Sequence, residues 1–164
     1  MRTISIDPGL STGWAVWEDN KLVECGLGDP RELRAVLLAG IDRVFIEKPQ
    51  IYRAAKSKGD PNDLITLAIR VGEYKQFFQQ RHAMVTLVLP MEWKAQVPKR
   101  ICANRVLRFL FNSERKIVYD VPAAKSLELA LGSDTMWARD KRNDMLDAIG
   151  IGLFGLSRAR TGMT

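Results

Sequence analysis

Histidine is nearly absent: His82 is the only one in 164 residues. A histidine-based metal triad and a Ser-His-Asp nucleophile are therefore excluded by count. Its position beside Arg81, at the end of a helical stretch, suits a solvent-facing capping role. Cysteine is almost as scarce. Cys25 and Cys102 lie far apart without metal-ligand spacing, so they read as small core hydrophobes in a reducing compartment, with no disulfide framework. Long hydrophobic runs are missing as well. The longest near the C-terminus, AIGIGLFGL, is far below the ~18 residues of a membrane span. The N-terminal MRTISID carries charge at Arg2 and Asp7, so a soluble, cytoplasmic protein without membrane contact is expected. Repeats, low-complexity tracts and dividing linkers are lacking too. A single domain over residues 1–157 is expected, followed by a basic tail over 158–164 in which Arg158 and Arg160 make a disordered electrostatic contact.

What the chain does have is positive charge. There are 25 basic and 19 acidic residues, a formal charge of +6 and a pI near 9.5. Such a field favours polyanionic partners. Part of it is concentrated in IYRAAKSKGDPND, which has little periodicity, carries Arg53, Lys56 and Lys58, and reads as a mobile basic loop.

The N-terminal stretch ISIDPGLSTGWAVW organises the rest. A β run delivers Asp7 into a Pro8-Gly9 turn, and a second run leaves from Gly13, with small residues between that let a ligand approach the backbone. Thr3–Asp7, Gly13–Glu18 and Lys21–Cys25 form an antiparallel meander with Asp19-Asn20 as its tight turn. Asp29-Pro30 opens a helix with Leu33, Val36 and Leu37 on one face, closed by Gly40. Arg43–Glu47 is a fourth strand, and Asn62 caps a helix running to about Gln80. Met84–Leu89 is a fifth strand, stopped by Pro90. Helices follow near Ile101–Phe111, from Pro122, and from Asp144 to Ser157, with a Gly-Ser-Asp break between the last two. A right-handed crossover can lay the fourth strand parallel to the first and beside it. The expected fold is thus α/β, a five-stranded mixed sheet with an antiparallel three-stranded meander, the fourth and fifth strands parallel to the first, and flanking helices.

That topology brings Asp7 and Glu47 to neighbouring strand ends. The last helix, NDMLDAIGIGLFGL, is apolar nearly all round except for Asp144 and Asp147, which stand at i and i+3 and point the same way. A helix dipole accounts for Asp144, but not for Asp147 one turn deeper. Four carboxylates at one end of a sheet repel unless a counter-charge joins them. Either two Mg²⁺ or Mn²⁺ ions supply it, clamping both oxygens of a phosphoryl displacement, or Lys48, Lys94, Lys141 and Arg142 pair with the acids as structural salt bridges. Trp14 and Trp17 fall on opposite faces of the second strand, and Trp93 and Trp137, near basic residues, can stack on bases but read better as packing.

IDPGLSTGWAV, FIEKP and NDMLDAIGIG, in this order, resemble the acidic motifs of the RuvC-type Holliday junction resolvases of the RNase H-like superfamily, over Ile4 to about Phe154. The resemblance implies an RNase H-like fold, with Asp7, Glu47, Asp144 and Asp147 as metal-binding catalytic acids. It implies a dimer to which the helix around Asn62–Gly72 contributes, and it makes Lys94 a DNA contact near the scissile phosphate, with Lys99 or Arg100 as a second. The resolvases carry a wedge aromatic a few residues after the Glu, whereas this chain has Lys48-Pro49-Gln50 and then Tyr52, which can stack on exposed bases. The implied activity is paired, symmetric nicking of four-way or other branched DNA by a homodimer. An RNA–DNA hybrid or structured-RNA nuclease of the same superfamily, and a branched-DNA-binding module that does not cut, are the alternatives.

Overall fold

In strand β1 (Arg2–Asp7) the apolar Ile4 and Ile6 alternate with Thr3 and Ser5, yet all four are buried. The reason is position, since β1 lies at the centre of a sheet covered on both faces. This is a computed structural model, and it describes residues 1–9, 11–50, 61–121 and 143–161. β2 (Gly13–Glu18) and β3 (Lys21–Leu27) complete the meander. Asp19 and Asn20 take φ of 47° and 66° at the turn between them, the backbone of a tight two-residue hairpin. β4 (Ile41–Glu47) runs parallel to β1, with Ile6 opposite Ile46, and β5 (Met84–Val88) runs parallel to β4. The order β3-β2-β1-β4-β5 is the expected five-stranded mixed sheet.

Period-2 alternation splits the core in two. Ile4, Ile6, Trp14, Val16, Val44 and Ile46 face helix α2 (Pro61–Gln79), which contributes Val71, Tyr74 and Phe78. Ala15, Trp17 and Phe45 face the other way, toward α4 (Lys99–Phe109), α5 (Asn112–Asp120) and α6 (Asn143–Gly155). Trp14 and Trp17 accordingly belong to different cores, and the buried Trp17 indole donates to Ser5 Oγ at 2.9 Å. Both cysteines are buried, as expected of core residues. Glycines let α6 lie close: a Cβ at Gly150 would overlap the Trp93 ring, one at Gly152 the Trp17 indole, and one at Gly155 the Phe45 ring.

Several local expectations are corrected. The first crossover is not one helix but a 3-10 turn over Pro30–Glu32 and a single helical turn, α1 (Ala35–Leu38). Leu33 and Arg34 between them are extended, with ψ of 149° and 139°, which leaves Val36 63% exposed instead of on a shared apolar face. α2 begins at Pro61, so Asn62 lies inside its first turn and does not cap it; its carbonyl accepts from the Thr66 hydroxyl. A short helix, α3 (Pro90–Trp93), and α5 were not foreseen. Arg158, assigned to the disordered tail, is built into the body through buried Glu114. The helix expected from Pro122, with Trp137, Lys141 and Arg142, lies outside the described residues. Among the described residues no helix is long and apolar enough to cross a membrane.

Candidate active site

Asp7 ends β1 and Glu47 ends β4, two adjacent parallel strands. Alternation sends Asp7 to the side of Ser5, and Glu47 to the side of Phe45, the face on which α6 packs. There α6 adds Asp144 and Asp147 from its first turns. Close approach depends on Gly13, opposite Asp7 in register. A Cβ at Gly13 would overlap the Asp144 carbonyl oxygen and come within 2.6 Å of the Met145 nitrogen. Gly13→Ala should therefore push α6 off the strand end and destabilise the fold by ~1–3 kcal/mol. Thermal melting checks this, and an unchanged Tm would show that α6 docks elsewhere.

One cation serves two of these acids. Lys94, the residue after α3, brings Nζ to 3.2 Å from both Glu47 Oε2 and Asp147 Oδ2. Burial alone would lower the Lys94 ammonium; Asp147, Glu47 and Asp7 reverse this and raise it above the ordinary lysine value. For the acids the balance runs the other way. Burial, then the charges of Asp147 and Glu47, lift Asp7 well above the usual carboxylate range. Burial also raises Glu47 against the pull of Lys94, and raises Asp144 to about 6 against that of Lys99. Four carboxylates thus share a site that one lysine at its centre and another at its edge do not balance.

Two further features hold the geometry. The Trp93 indole, fully buried against Gly150, donates to Glu47 Oε2 at 2.7 Å, and Lys94 Nζ lies 4.7 Å from the Trp93 ring centroid. Below Asp7, Thr12 Oγ1 donates to the Gly9 carbonyl at 3.3 Å and lies 3.2 Å from the Tyr74 hydroxyl, while Arg70 also donates to the Gly9 carbonyl. α2 thereby pins the turn that carries the first carboxylate. Trp93 is a positioning residue in this arrangement, because its N–H lowers the Glu47 pKa and fixes which oxygen faces Lys94. Trp93→Phe should keep the fold but cost about 1.5–3 kcal/mol of stability, the scale of one hydrogen bond to a charged group. It should also raise the Glu47 pKa as followed by NMR titration of the carboxyl, whereas a tryptophan that only packs would leave that titration where it was.

Hard carboxylate oxygens with an excess of negative charge are the donor chemistry of Mg²⁺ or Mn²⁺. Among the described residues, however, no three His, Cys, Asp or Glu side chains stand grouped as a ready metal cage. The Lys94 ammonium instead bridges two of the carboxylates. Of the residues singled out in the sequence, Asp7, Glu47, Asp144, Asp147 and Lys94 are brought together. Lys99 stands at the start of α4, near enough to act on Asp144, and Arg100 is exposed beside it. Tyr52, Arg53, Lys56 and Lys58 lie outside the described residues. For Trp93 the sequence offers packing, with base stacking as the alternative, and not a hydrogen bond to Glu47; the Trp-Lys dipeptide at the end of α3 is the available signal.

No family model matches the sequence, and no curated protein matches it. Solved structures do. The chain is similar to RuvC. A structure of T. thermophilus RuvC in complex with Holliday junction substrate aligns over 98% of this chain and 99% of that one, at 15% identity and a TM-score of 0.49. A second Thermus thermophilus RuvC structure aligns over the same shares at 15% identity and a TM-score of 0.40.

Proposed function

We propose that this chain is a divalent-metal-dependent endonuclease, a single nuclease domain whose body extends past residue 157 through Arg158, that resolves four-way or other branched DNA by paired nicks as a homodimer. The observation that carries the reading is the Lys94 ammonium held 3.2 Å from both Glu47 and Asp147 at the strand ends, with Asp7 and Asp144 beside them as further like charges. Asp7, Glu47, Asp144 and Asp147 would hold two Mg²⁺ or Mn²⁺ ions, which would supply activation of the attacking water and stabilisation of the leaving oxygen. Lys94, freed from Asp147 and Glu47, would then turn its ammonium to the scissile phosphate. Trp93 keeps Glu47 oriented through that change.

The homodimer has its support on α2, where Ile65 and Ile69 are 58% and 59% exposed and Ala68 and Gly72 extend the same face. A two-fold axis through such a face would give two sites for two strands of a symmetric substrate. The test is cleavage of a labelled synthetic four-way junction against linear duplex and RNA–DNA hybrid, with Mg²⁺, Mn²⁺ or EDTA. Paired metal-dependent nicks on opposing arms are expected. Cutting of the hybrid alone would move the activity to an RNA-directed branch, and tight junction binding without nicks would leave a binding module.

A further inference from the structure

The chain's excess charge has one address. The stretch from Lys94 to Tyr119 holds seven of the 25 basic residues (Lys94, Lys99, Arg100, Arg105, Arg108, Arg115, Lys116) and one of the 19 acids, Glu114. It therefore carries +6, the whole formal charge of the protein, and the 18 bases and 18 acids elsewhere cancel. Glu114 is buried and bonded to Arg158, so no carboxylate of this stretch faces solvent. Lys94 belongs to the acidic site, and Arg115 donates to the Leu107 and Arg108 carbonyls at the end of α4.

The remaining cations line the outside. α4 turns Cys102, Ala103, Val106 and Leu107 to the core. Lys99, Arg100 and Arg108 are exposed on it, Arg105 is half-buried, and Lys116 is exposed on α5. Arg100 and Arg108 are two turns apart on one face, and Lys99 to Arg108 spans about 13 Å. The row starts at the acidic site, where Lys99 acts on Asp144. α2, on the opposite side of the sheet, has no such bias: Asp63 and Glu73 offset Arg70 and Lys75.

We infer that α4 and the start of α5 form a contact surface for the phosphate backbone of a duplex DNA arm running outward from the cleavage site. This rests on the nuclease reading and names the surface that holds the substrate beyond the reacting phosphate. Phosphates neutralised by lysine or arginine release counterions, so each contact contributes about 0.9 to the slope of log K against log salt.

The experiment is binding of a fluorescent four-way junction in EDTA over a range of salt, for the full chain, for R108Q/K116Q and for the charge-conserving R108K/K116R. The neutralised variant should lose about 2 from the slope, and the conserving one should keep the parent's slope. A parent that binds with an unchanged slope in R108Q/K116Q overturns the contact surface and leaves the nuclease reading standing. A parent that binds neither junction nor duplex overturns the nuclease reading and this inference with it. Variant-sensitive binding to phosphatidylserine vesicles but not to DNA would assign the surface to a membrane and overturn the inference.

Discussion

Asp7→Asn should lower strand cleavage by ~10³-fold or more, a loss of about 4 kcal/mol at the transition state, and at the same time raise the Tm of the metal-free protein. The two effects have one cause. Asp7 is half-buried, with Asp147, Glu47 and Asp144 as like-charged neighbours, and Lys94 pulls the other way. Its ionised form is thus a cost to the folded chain that a bound divalent cation would offset. The sign with pH follows from the raised values. A carboxyl whose folded pKa lies above its unfolded one contributes its full stability below the unfolded value, near 4, and loses it as pH rises through the folded value. For Asp144 that folded value is about 6, and Asp7 is shifted in the same direction. The Tm gap between Asp7→Asn and the parent in EDTA should therefore open as pH rises from about 4 past 6, and close when Mg²⁺ is added to the parent. Calorimetry at several pH values, beside the junction assay, reads both effects. Unchanged cleavage would remove Asp7 from the chemistry, while a variant with a lower Tm in EDTA would remove the like-charge account of the site.

The acids were legible because what positions them is local. Asp7 and Glu47 sit where β-branched runs stop, and strand parity with Ser5 and Phe45 decides their face. Asp144 and Asp147 interrupt a helix that is otherwise apolar, so their direction is set by the 3.6-residue period. The order of strands followed from a tight turn at Asp19-Asn20 and the handedness of one crossover. What could not be read depends on partners distant in sequence. Lys94 was singled out through the resemblance and as one of four basic residues open to pairing. Its engagement with both Glu47 and Asp147 is a matter of how α3 docks beside α6. Val36 falls on an apolar face only if the helix is continuous; the extended Leu33 and Arg34 break that periodicity. α5 was missed although Glu114 follows Phe111 by three residues and its carboxylate accepts from the Phe111 N–H, half of a capping box. Nothing near Arg158 in the chain says that its partner lies 44 residues earlier.

Arg158→Ala should give the largest loss of stability of any single substitution considered, ~3–5 kcal/mol out of the ~5–15 kcal/mol that holds a domain of this kind together. The guanidinium donates through Nη1 to Glu114 Oε1 at 2.6 Å and to the Asn20 carbonyl at 2.8 Å, and through Nη2 to Glu114 Oε2 at 2.9 Å and the Phe109 carbonyl at 2.9 Å. Glu114 also accepts from the backbone N–H of Leu22 and of Phe111, each at 2.8 Å. One ion pair thus ties the β2–β3 hairpin, the α4–α5 junction and the chain after α6. Removing the arginine leaves a carboxylate that is 2% exposed with no counter-charge, which costs more than the pair itself contributes. Burial alone would raise Glu114, but Arg158 and the two N–H donors overcome it and hold the carboxyl below its ordinary value of 4.5. Its contribution is accordingly present above about 4.5 and lost as pH falls through the lower folded value. Acid unfolding of the parent should carry this step, and Glu114→Gln should lack it. The double variant Arg158→Ala/Glu114→Ala should be less destabilised than the two single losses summed, because no unpaired charge is left behind. Additive losses, or an Arg158→Ala protein that melts with the parent, would return Arg158 to the solvent and detach the chain after α6 from the folded body.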